Sequence, residues 1–471
     1  MTRLVSIDPY TEAINGEYEA FSFDQCTAAV DRARRHLPEW QNLPVAERAG
    51  LLKGLITVLE GKKHHFARVI TKEMGKPIRQ AVAEISKTVQ LCEYYRRNSH
   101  NFLRNEIIAT EAVRSYVAFE PLGVILGIMP WNYPFWQVLR FAVPALVAGN
   151  VCLLKHASNV PIAAMEIEKL FVEAGFPVAV FQTLLADAKT AEELIEQDAV
   201  DGVSLTGSVA AGSRIGSLAG RKIKKLVLEL GGSDPFIVLE DADVQGAAAR
   251  AVKARTSNTG QSCIAAKRFI VVEAVAEEFR EAFTAHLRAA KMGNPMEEET
   301  DLGPLARKDL VDEVGAQLAD ALSKGAKVAY GPEPPAGEGF FFRPAVLTDV
   351  TPQMRVVSEE VFGPLAPIIV VKDEQEAIEV ANATEFGLGA SIWSGDIERA
   401  EGLSRRIRAG FVAVNSIAKS DPRLPFGGIK RSGVGRELSQ YGLLEFVNVK
   451  TVVVNKPCDQ SESWRMGLSI S

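Results

Sequence analysis

From residue 115 onward, short apolar runs alternate with segments of helical periodicity, and this alternation limits the folds open to the chain. The runs include GVILGIM, NVCLLK, GVSLT and KKLVLEL, and the segments between them include IAAMEIEKLFVEAG and VAAGSRIGSLAG. Runs that are apolar on both faces are typical of parallel strands covered by helices. We therefore predict an α/β protein built on parallel sheets.

The places where this alternation begins and breaks suggest how the chain is divided. Residues 24–105 have apolar positions at spacings of three and four, which predicts long amphipathic helices. The GG and SDP that follow KKLVLEL interrupt regular structure, and a second alternating region then continues to about residue 430. We predict two α/β domains that meet just after this interruption.

Composition argues against several classes of protein. A net charge of −6 leaves no basic surplus for neutralising phosphates, which argues against a nucleic-acid partner. The five cysteines have no CxxC spacing and the six histidines have no HExxH spacing, so we expect neither structural disulfides nor a metal. The first residues, MTRLVSIDPYTEA, carry charges where a signal peptide needs an apolar core, and no apolar run reaches the length of a bilayer span, which predicts a cytoplasmic protein without a membrane partner.

Two residues are candidates for covalent chemistry. Cys263 lies in the small polar stretch SNTGQSCIA, and Glu229 ends the apolar strand KKLVLEL. A buried glutamate has a raised pKa that suits it to take a proton from water or a thiol. The alternatives are an inert packing cysteine and a solvated glutamate at the end of a strand.

Two turns between strands and helices provide further candidates. In MPWNYPFWQVLR, two prolines flank Asn132, whose amide could donate to an oxyanion; alternatively, Asn132 is a turn residue and the aromatic residues around it only pack. In TGSVAAG, Gly207, Ser208 and Gly212 lie where backbone N–H groups at a helix start could face a phosphate, although glycine and serine also cap helices for local reasons.

Seven motifs in one order resemble those of the aldehyde dehydrogenase superfamily over nearly the whole chain: PWNYP, LLKHAS, TGSVAAG, LELGG, GQSC, EEVFGP and PFGGIKRSG. LELGGSDPFIV and GVGREL are similar to the bacterial succinate-semialdehyde dehydrogenase branch. The resemblance implies a Rossmann-type cofactor-binding domain over residues 1–105 and 121–231 and an α/β catalytic domain over 232–430. It also implies a small β oligomerisation element over 106–120 and 445–471.

The resemblance also implies roles for individual residues. Cys263 would add to the aldehyde carbonyl, Asn132 and the backbone N–H of Cys263 would hold the oxyanion, and Glu229 would activate the water that hydrolyses the thioester. Glu360 would bind the nicotinamide ribose, with Phe362 beside the ring and Trp131 also in the cofactor site; the alternative for Glu360 is a surface carboxylate.

The expected cofactor is NADP, with NAD possible. Lys155 in LLKHAS would bind the adenosine ribose hydroxyls. Ser158 stands where NAD-preferring members of the superfamily often have a glutamate that repels a 2′-phosphate, so this chain lacks that repulsion. The alternative for Ser158 is that it only caps the helix that follows.

The expected substrate is a small aldehyde with a terminal carboxylate, succinic semialdehyde above all. Arg140 would bind the carboxylate with Arg255 as a second clamp, because a planar guanidinium donates two hydrogen bonds and an unpaired buried one is costly. Trp136 would line the site and Ser420 would donate a further hydrogen bond. The alternative for either arginine is a structural ion pair.

Other functions remain open at this point. They are a dehydrogenase for glutarate semialdehyde or an uncharged aldehyde, a structural or binding protein without catalytic activity, and a cysteine hydrolase without a cofactor. The resemblance further implies a homodimer or homotetramer in which a strand near 110–120 and the C-terminal FVNVKTVVV pair across subunits.

Overall fold

A computed structural model describes residues 2–331 and 338–457. Cys458, the last part of the predicted element 445–471, and most of the GPEPPAGEG stretch lie outside these residues. The strands, in chain order, are β1 Arg3–Ile7, β2 Ile14–Glu19, β3 Glu106–Ile108, β4 Arg114–Pro121, β5 Val124–Met129, β6 Val151–His156, β7 Phe181–Thr183, β8 Gly202–Thr206, β9 Lys225–Glu229, β10 Asp234–Val238, β11 Ala266–Val272, β12 Lys327–Tyr330, β13 Ala345–Thr348, β14 Leu365–Val371, β15 Gly389–Trp393, β16 Phe411–Val414, β17 Gly433–Val434 and β18 Val447–Val454.

The helices occupy much of the rest of the described chain. In chain order they are α1 Phe23–Asn42, α2 Val45–Gly50, α3 Leu52–Gly61, α4 Lys63–Met74, α5 Ile78–Phe102, α6 Pro134–Ala148, α7 Pro161–Glu173, α8 Ala188–Glu196, α9 Val209–Arg221, α10 Val244–Thr256, α11 Glu273–Ala289, α12 Lys308–Ser323, α13 Arg355–Ser358, α14 Glu374–Asn382, α15 Ile397–Ser404 and α16 Ser439–Leu444. The helical segment predicted over residues 24–105 corresponds to α1 to α5.

Two sheets form the body of the structure. The first has the order β17-β9-β8-β5-β6-β7, and all of its pairings are parallel except that of β17. The second has the order β12-β13-β14-β11-β10-β15-β16, in which only β12 pairs antiparallel. Strands β5, β8, β10 and β15 are almost entirely buried, as expected for strands covered on both faces.

The first sheet places several predicted site residues along one edge. Glu229 is the last residue of β9, Lys155 is the penultimate residue of β6, and Gly207 follows β8 directly. The carboxyl ends of neighbouring parallel strands face the same side, so these residues share the edge where α/β sheets commonly bind ligands.

A third, three-stranded sheet stands apart from the other two. Its order is β18-β4-β3, and both pairings are antiparallel within the same chain. Within the chain, β4 and β18 pair with each other, from Arg114 with Val454 to Pro121 with Val447. β18 is an edge strand of this sheet, and its pairing across subunits stays a prediction. The two segments form one antiparallel ribbon because their registers match over eight residues.

Two of the central helices begin without a capping side chain of their own. Instead, the Glu84 carboxylate accepts from the backbone N–H groups of Phe135 and Trp136, at the start of α6. Glu73 does the same at the start of α7, and burial raises its pKa to about 7. Carboxylates are favoured at the positive end of a helix, so the N-terminal helices orient both α6 and α7 against the first sheet.

Candidate active site

Cys263 follows a strained turn. The single turn of 3-10 helix over Ser257–Gly260 contains Asn258 at φ 53°, Thr259 at φ 55° and Gly260 at φ 80°. Left-handed backbone is rare for a β-branched residue and costs on the order of 1–3 kcal/mol per residue, so it persists only where the surroundings enforce it. The turn brings Cys263 to the wall of a cavity.

Arg255 is one of the groups that enforce this turn. It is fully buried and donates to the backbone carbonyls of Gly260 at 2.7 Å, Ala266 at 2.9 Å and Val361 at 3.4 Å. These contacts join both ends of the cysteine loop to the EEVFGP segment. The prediction that Arg255 clamps the substrate is therefore corrected: its donors are used inside the protein and it does not line the cavity.

A second basic side chain, which the sequence analysis missed, holds the other side of the loop. The Lys267 ammonium is fully buried and donates to the carbonyls of Ser262 at 2.9 Å and Cys263 at 2.6 Å. Its Nζ also lies 3.5 Å from Glu360 Oε1. The carbonyls around the nucleophile are thus fixed by buried cations at both ends.

Asn132 is tied to the same loop. Its Nδ2 donates to the carbonyl of Gln261 at 3.0 Å, and its own backbone carbonyl accepts from Asn258 Nδ2 at 2.9 Å. Gln137 donates to Asn132 Oδ1 at 3.1 Å, which sets the orientation of the amide. The side chain is 3% exposed and retains one Nδ2 hydrogen for a ligand near Cys263.

The electrostatics at Cys263 disfavour a free thiolate. Burial raises the pKa of this thiol to about 12, while Lys267 and then Arg140 act in the opposite direction and Glu229 raises the pKa further. Formation of the thiolate therefore calls for a proton acceptor nearby. Glu229 is close enough to act on the thiol electrostatically, which makes it the candidate acceptor.

Glu229 is itself an unusual carboxylate. It is 2% exposed, and neither of its oxygens has a hydrogen-bond partner among the described residues. Burial first, and then the neighbouring Glu437, raise the pKa of Glu229 well above its usual range. The alternative of a solvated glutamate at a strand end does not match this burial. A carboxyl group with a raised pKa is suited to general base catalysis at neutral pH.

Arg140 lies on α6 and lines the cavity with Cys263, but its charge is compensated. Its Nε forms a buried ion pair with Glu437, and its Nη2 donates to Thr206 Oγ1 at 3.4 Å. The sequence argument for an anionic substrate assumed an unpaired guanidinium. That assumption is wrong, because Glu437 of the GVGREL motif supplies the counter-charge.

The cavity beside Cys263 has a volume of about 200 Å³. This is below the roughly 300–1,000 Å³ typical of sites for drug-sized ligands and suits a small substrate. Trp136 and Ser420 line it as predicted, together with Arg140. Its wall also carries three lysines that the sequence analysis did not select: Lys87, Lys253 and Lys419.

Lys155 and Ser158 lie together after β6. Lys155 is half-buried and has no ion pair or hydrogen bond through its ammonium group among residues 2–331 and 338–457; burial lowers its pKa and Asp187 raises it. Ser158 is exposed. The helix that follows has Val160, not Ser158, at its N-cap and no capping side chain, so the alternative of Ser158 as a cap is excluded.

In the TGSVAAG turn, two of the three predicted residues have structural roles and the third could contact a ligand. Ser208 caps α9 by accepting from the backbone N–H of Ala211 at 3.2 Å. A Cβ on Gly212 would lie 2.5 Å from the side chain of Leu230, so this glycine lets α9 pack closely on the sheet. Gly207 is half-buried, and a Cβ there would meet only the side chains of Leu205 at 3.5 Å and Ala211 at 4.0 Å, so its backbone is not crowded and can be approached by a phosphate.

Glu360, Phe362 and Trp131 form a second wall near the cysteine loop. Glu360 Oε1 accepts from the backbone N–H of Gly232 at 3.0 Å, and a Cβ on Gly231 would lie 2.3 Å from Glu360 Oε2. The carboxylate therefore has a built position and is not a loose surface group. The rings of Trp131 and Phe362 meet edge to face at 5.8 Å between centroids. In this arrangement Glu360 fits the ribose of a nicotinamide cofactor, and the two aromatic rings fit its nicotinamide ring.

Three further findings concern the described part of the chain. Within it, no group of three or more histidine, cysteine, aspartate or glutamate side chains is arranged to hold a metal ion. None of its helices combines the length and the apolar character needed to cross a membrane. Its four cysteines (Cys26, Cys92, Cys152 and Cys263) are not bridged to one another.

The chain belongs to the aldehyde dehydrogenase family, whose profile matches residues 2–452. The predicted superfamily and its α/β fold are thereby confirmed. A crystal structure of succinic semialdehyde dehydrogenase from Streptococcus pyogenes in complex with NADP+ is 35% identical, covers 96% of this chain and 100% of that chain, and superposes with a TM-score of 0.94.

Curated relatives agree with the predicted branch. A probable succinate-semialdehyde dehydrogenase (NADP+) of Synechocystis is 48% identical over 95% of this chain and 99% of its own length. A succinate semialdehyde dehydrogenase (NAD(P)+) of Escherichia coli is 44% identical over 96% of this chain and 98% of its own. The resemblance to the bacterial succinate-semialdehyde dehydrogenases is confirmed.

We predict that Arg255→Met lowers the free energy of unfolding by about 2–5 kcal/mol, because it leaves buried carbonyls without donors. Urea unfolding of the purified variant measures this loss. Arg250→Met is the matched control, since Arg250 is an exposed residue of the same helix. Activity on charged and uncharged aldehydes should fall together in Arg255→Met; an unchanged unfolding midpoint would contradict the bracing role.

We predict that Glu229→Gln still releases one burst of reduced cofactor, although more slowly than the wild type because the thiol loses its proton acceptor, and that steady-state turnover falls by about 10²–10⁴-fold, as loss of a general base does. Rapid mixing with absorbance detection resolves the two phases. In the wild type the steady-state rate should rise with pH through the raised pKa of Glu229, since only the ionised form accepts a proton.

Stability provides a control for this variant. Because the folded protein raises the pKa of Glu229, ionisation of this group costs stability as pH rises above the ordinary carboxyl range. The neutral glutamine avoids that cost, so the melting temperature of Glu229→Gln at neutral pH should not fall below that of the wild type. Normal steady-state turnover in the variant would remove Glu229 from the mechanism.

Proposed function

We propose that this protein oxidises succinic semialdehyde to succinate with NADP as the preferred cofactor. The proposal rests on one observation in the structure, which is the charge of the cavity beside Cys263. Four basic side chains line this cavity and, among the described residues, no acidic side chain lines it: Lys87, Arg140, Lys253 and Lys419. Such a wall favours a small aldehyde that carries a negative charge. The names of the relatives at 44–48% identity point to the same substrate.

The residues around Cys263 support a covalent mechanism. Glu229 accepts the thiol proton, and Sγ of Cys263 adds to the aldehyde carbon to form a thiohemiacetal. The remaining Nδ2 hydrogen of Asn132 and the backbone N–H of Cys263 donate to the oxyanion. A bound nicotinamide cofactor supplies the hydride acceptor. Glu229 passes the thiol proton on to solvent and is again ionised when the thioester has formed. It then takes a proton from the water that attacks the thioester and delivers this proton to the departing sulfur, which releases the carboxylic acid and restores the thiol.

The residues of the cofactor side fit this chemistry. Glu360 is positioned to bind the nicotinamide ribose, with Trp131 and Phe362 beside the ring. Gly207 leaves the start of α9 open to a phosphate, while Ser208 and Gly212 maintain the turn. Lys155 and the exposed Ser158 present an ammonium and a hydroxyl with no acidic residue between them in sequence, which favours a 2′-phosphate.

The β18-β4-β3 sheet is the surface through which we expect the chain to form a homodimer or homotetramer. This sheet is separate from the two main sheets, and its two edge strands, β3 and β18, carry large exposed apolar side chains: Ile107, Ile108, Val449 and Val453. Exposed apolar area of this kind commonly marks an interface. Sedimentation velocity of the purified protein would test this, and a monomer would contradict it.

The proposed function predicts a preference for a carboxylate-bearing aldehyde. Initial rates should be highest for succinic semialdehyde, lower for glutarate semialdehyde and much lower for butanal, a neutral aldehyde of the same chain length. Each rate is measured with NADP and with NAD, and Cys263→Ala serves as the inactive control. Equal kcat/KM values for succinic semialdehyde and butanal would leave an aldehyde dehydrogenase of another substrate class.

We predict that Ser158→Glu lowers the ratio of kcat/KM with NADP to kcat/KM with NAD by about tenfold or more, because a carboxylate near a phosphate costs about 1–4 kcal/mol at 4 Å. Ser158→Gln is the matched control, since it adds similar bulk without charge. A ratio that moves equally in both variants would attribute the effect to size, and a ratio that moves in neither would separate Ser158 from the cofactor.

A further inference from the structure

Lys87 is the cavity lysine that is withdrawn from solvent, and it has no ion pair among the described residues. It lies on α5 and is half-buried, and its Nζ donates to Ser420 Oγ at 2.6 Å and stands 4.1 Å from the centre of the Trp136 ring. All three residues line the cavity that contains Cys263. No carboxylate of the described residues lies within ion-pairing distance of this ammonium.

The acidic groups nearest to Lys87 have other partners. Glu84 pairs with Lys76 and accepts from the start of α6, and Asp421 pairs with Arg423. Arg140, on the facing helix, adds to the positive potential and is itself paired with Glu437. Burial, followed by repulsion from Arg140, lowers the pKa of Lys87 to about 8, which is the response of an ammonium held without a counter-ion.

The contacts that Lys87 makes leave some of its hydrogen-bond donors available for a ligand. An ammonium has three donors, of which one is used by Ser420, and the Ser420 hydroxyl accepts this bond and keeps its own proton to donate. Two donors of Lys87 and one of Ser420 can thus converge on one anion beside the indole face of Trp136. The other two cavity lysines, Lys253 and Lys419, are exposed and already solvated by water.

We propose that Lys87, together with Ser420, binds the terminal carboxylate of the substrate, with Trp136 holding the ammonium in place, and that Lys87 is a main determinant of the preference for an anionic aldehyde. This inference rests on the proposed function. It assigns the selective contact to the one buried cation of the cavity that meets only a hydroxyl and an aromatic face.

The test compares kcat/KM for succinic semialdehyde and butanal in the wild type, Lys87→Gln, Lys87→Arg and the control Lys72→Gln, which removes an exposed lysine of α4 outside the cavity. The ratio of the two values should fall by about 30-fold or more in Lys87→Gln, the usual consequence of truncating one partner of a buried charge pair. Lys87→Arg should recover part of the ratio because it keeps the charge, and Lys72→Gln should keep the wild-type ratio.

Two further measurements separate binding from misfolding. Succinate should inhibit the wild type competitively against the aldehyde, and its inhibition constant should rise by at least about tenfold in Lys87→Gln. If Lys87→Gln does not fold, as shown by its thermal melt, Ser420→Ala tests the same site and should lower the succinic semialdehyde to butanal ratio by a smaller factor, about threefold to tenfold.

The outcomes distinguish the two proposals. A wild type that does not prefer succinic semialdehyde over butanal would overturn the proposed function. A wild type that shows this preference, together with a Lys87→Gln variant that keeps both the preference and the succinate inhibition, would overturn the role of Lys87 alone. A selective loss in Arg140→Ala but not in Lys87→Gln would return the carboxylate contact to the arginine.

Discussion

The position of the nucleophile depends on a turn that the backbone would not adopt unaided. Asn258, Thr259 and Gly260 are consecutively left-handed, and a cost of on the order of 1–3 kcal/mol for each non-glycine residue must be offset by contacts elsewhere. Arg255 and Lys267 supply them by donating to carbonyls on either side of Cys263. Because these donors are buried cations, the strain is held by some of the strongest hydrogen bonds available in a protein.

The same network connects the two halves of the proposed chemistry. Asn132 follows a strand of the first sheet, whereas Cys263 precedes a strand of the second, and the two are joined by Nδ2 of Asn132 on the carbonyl of Gln261. Lys267 in turn approaches Glu360, which anchors to Gly232 between the sheets. We therefore expect a substitution of one of these side chains to shift the nucleophile, the oxyanion donor and the cofactor wall together.

Charge is distributed unevenly around the reacting centre. Glu229 is buried beside Glu437 and has no hydrogen bond within the described residues, which keeps it ready to accept a proton. Arg140 is paired with Glu437, so much of its charge is compensated within the protein. The remaining positive charge in the interior of the cavity lies on Lys87. The structure thus separates a basic carboxylate for catalysis from an ammonium for recognition, and only the ammonium lines the cavity of about 200 Å³.

Local sequence was sufficient for the parts of this protein that depend on periodicity and on short motifs. The alternation after residue 115 predicted the parallel sheets. Strand ends and turns singled out Glu229, Asn132 and Cys263, because the pattern around each of these residues is contained in a stretch of about ten residues. Helices α1 to α5 were likewise visible in the spacing of their apolar residues.

Tertiary structure alone decided which charges are paired. Arg140 lies 297 residues before Glu437 in the sequence, and Lys87 lies 333 before Ser420, so no local pattern shows that the first is compensated and the second is not. Arg255 looked like a substrate ligand because its distance from Cys263 along the chain is short, but the helix that carries it turns the guanidinium into the protein, onto three carbonyls. The sequence specifies the type of each side chain, whereas long-range packing decides whether a buried charge has a partner.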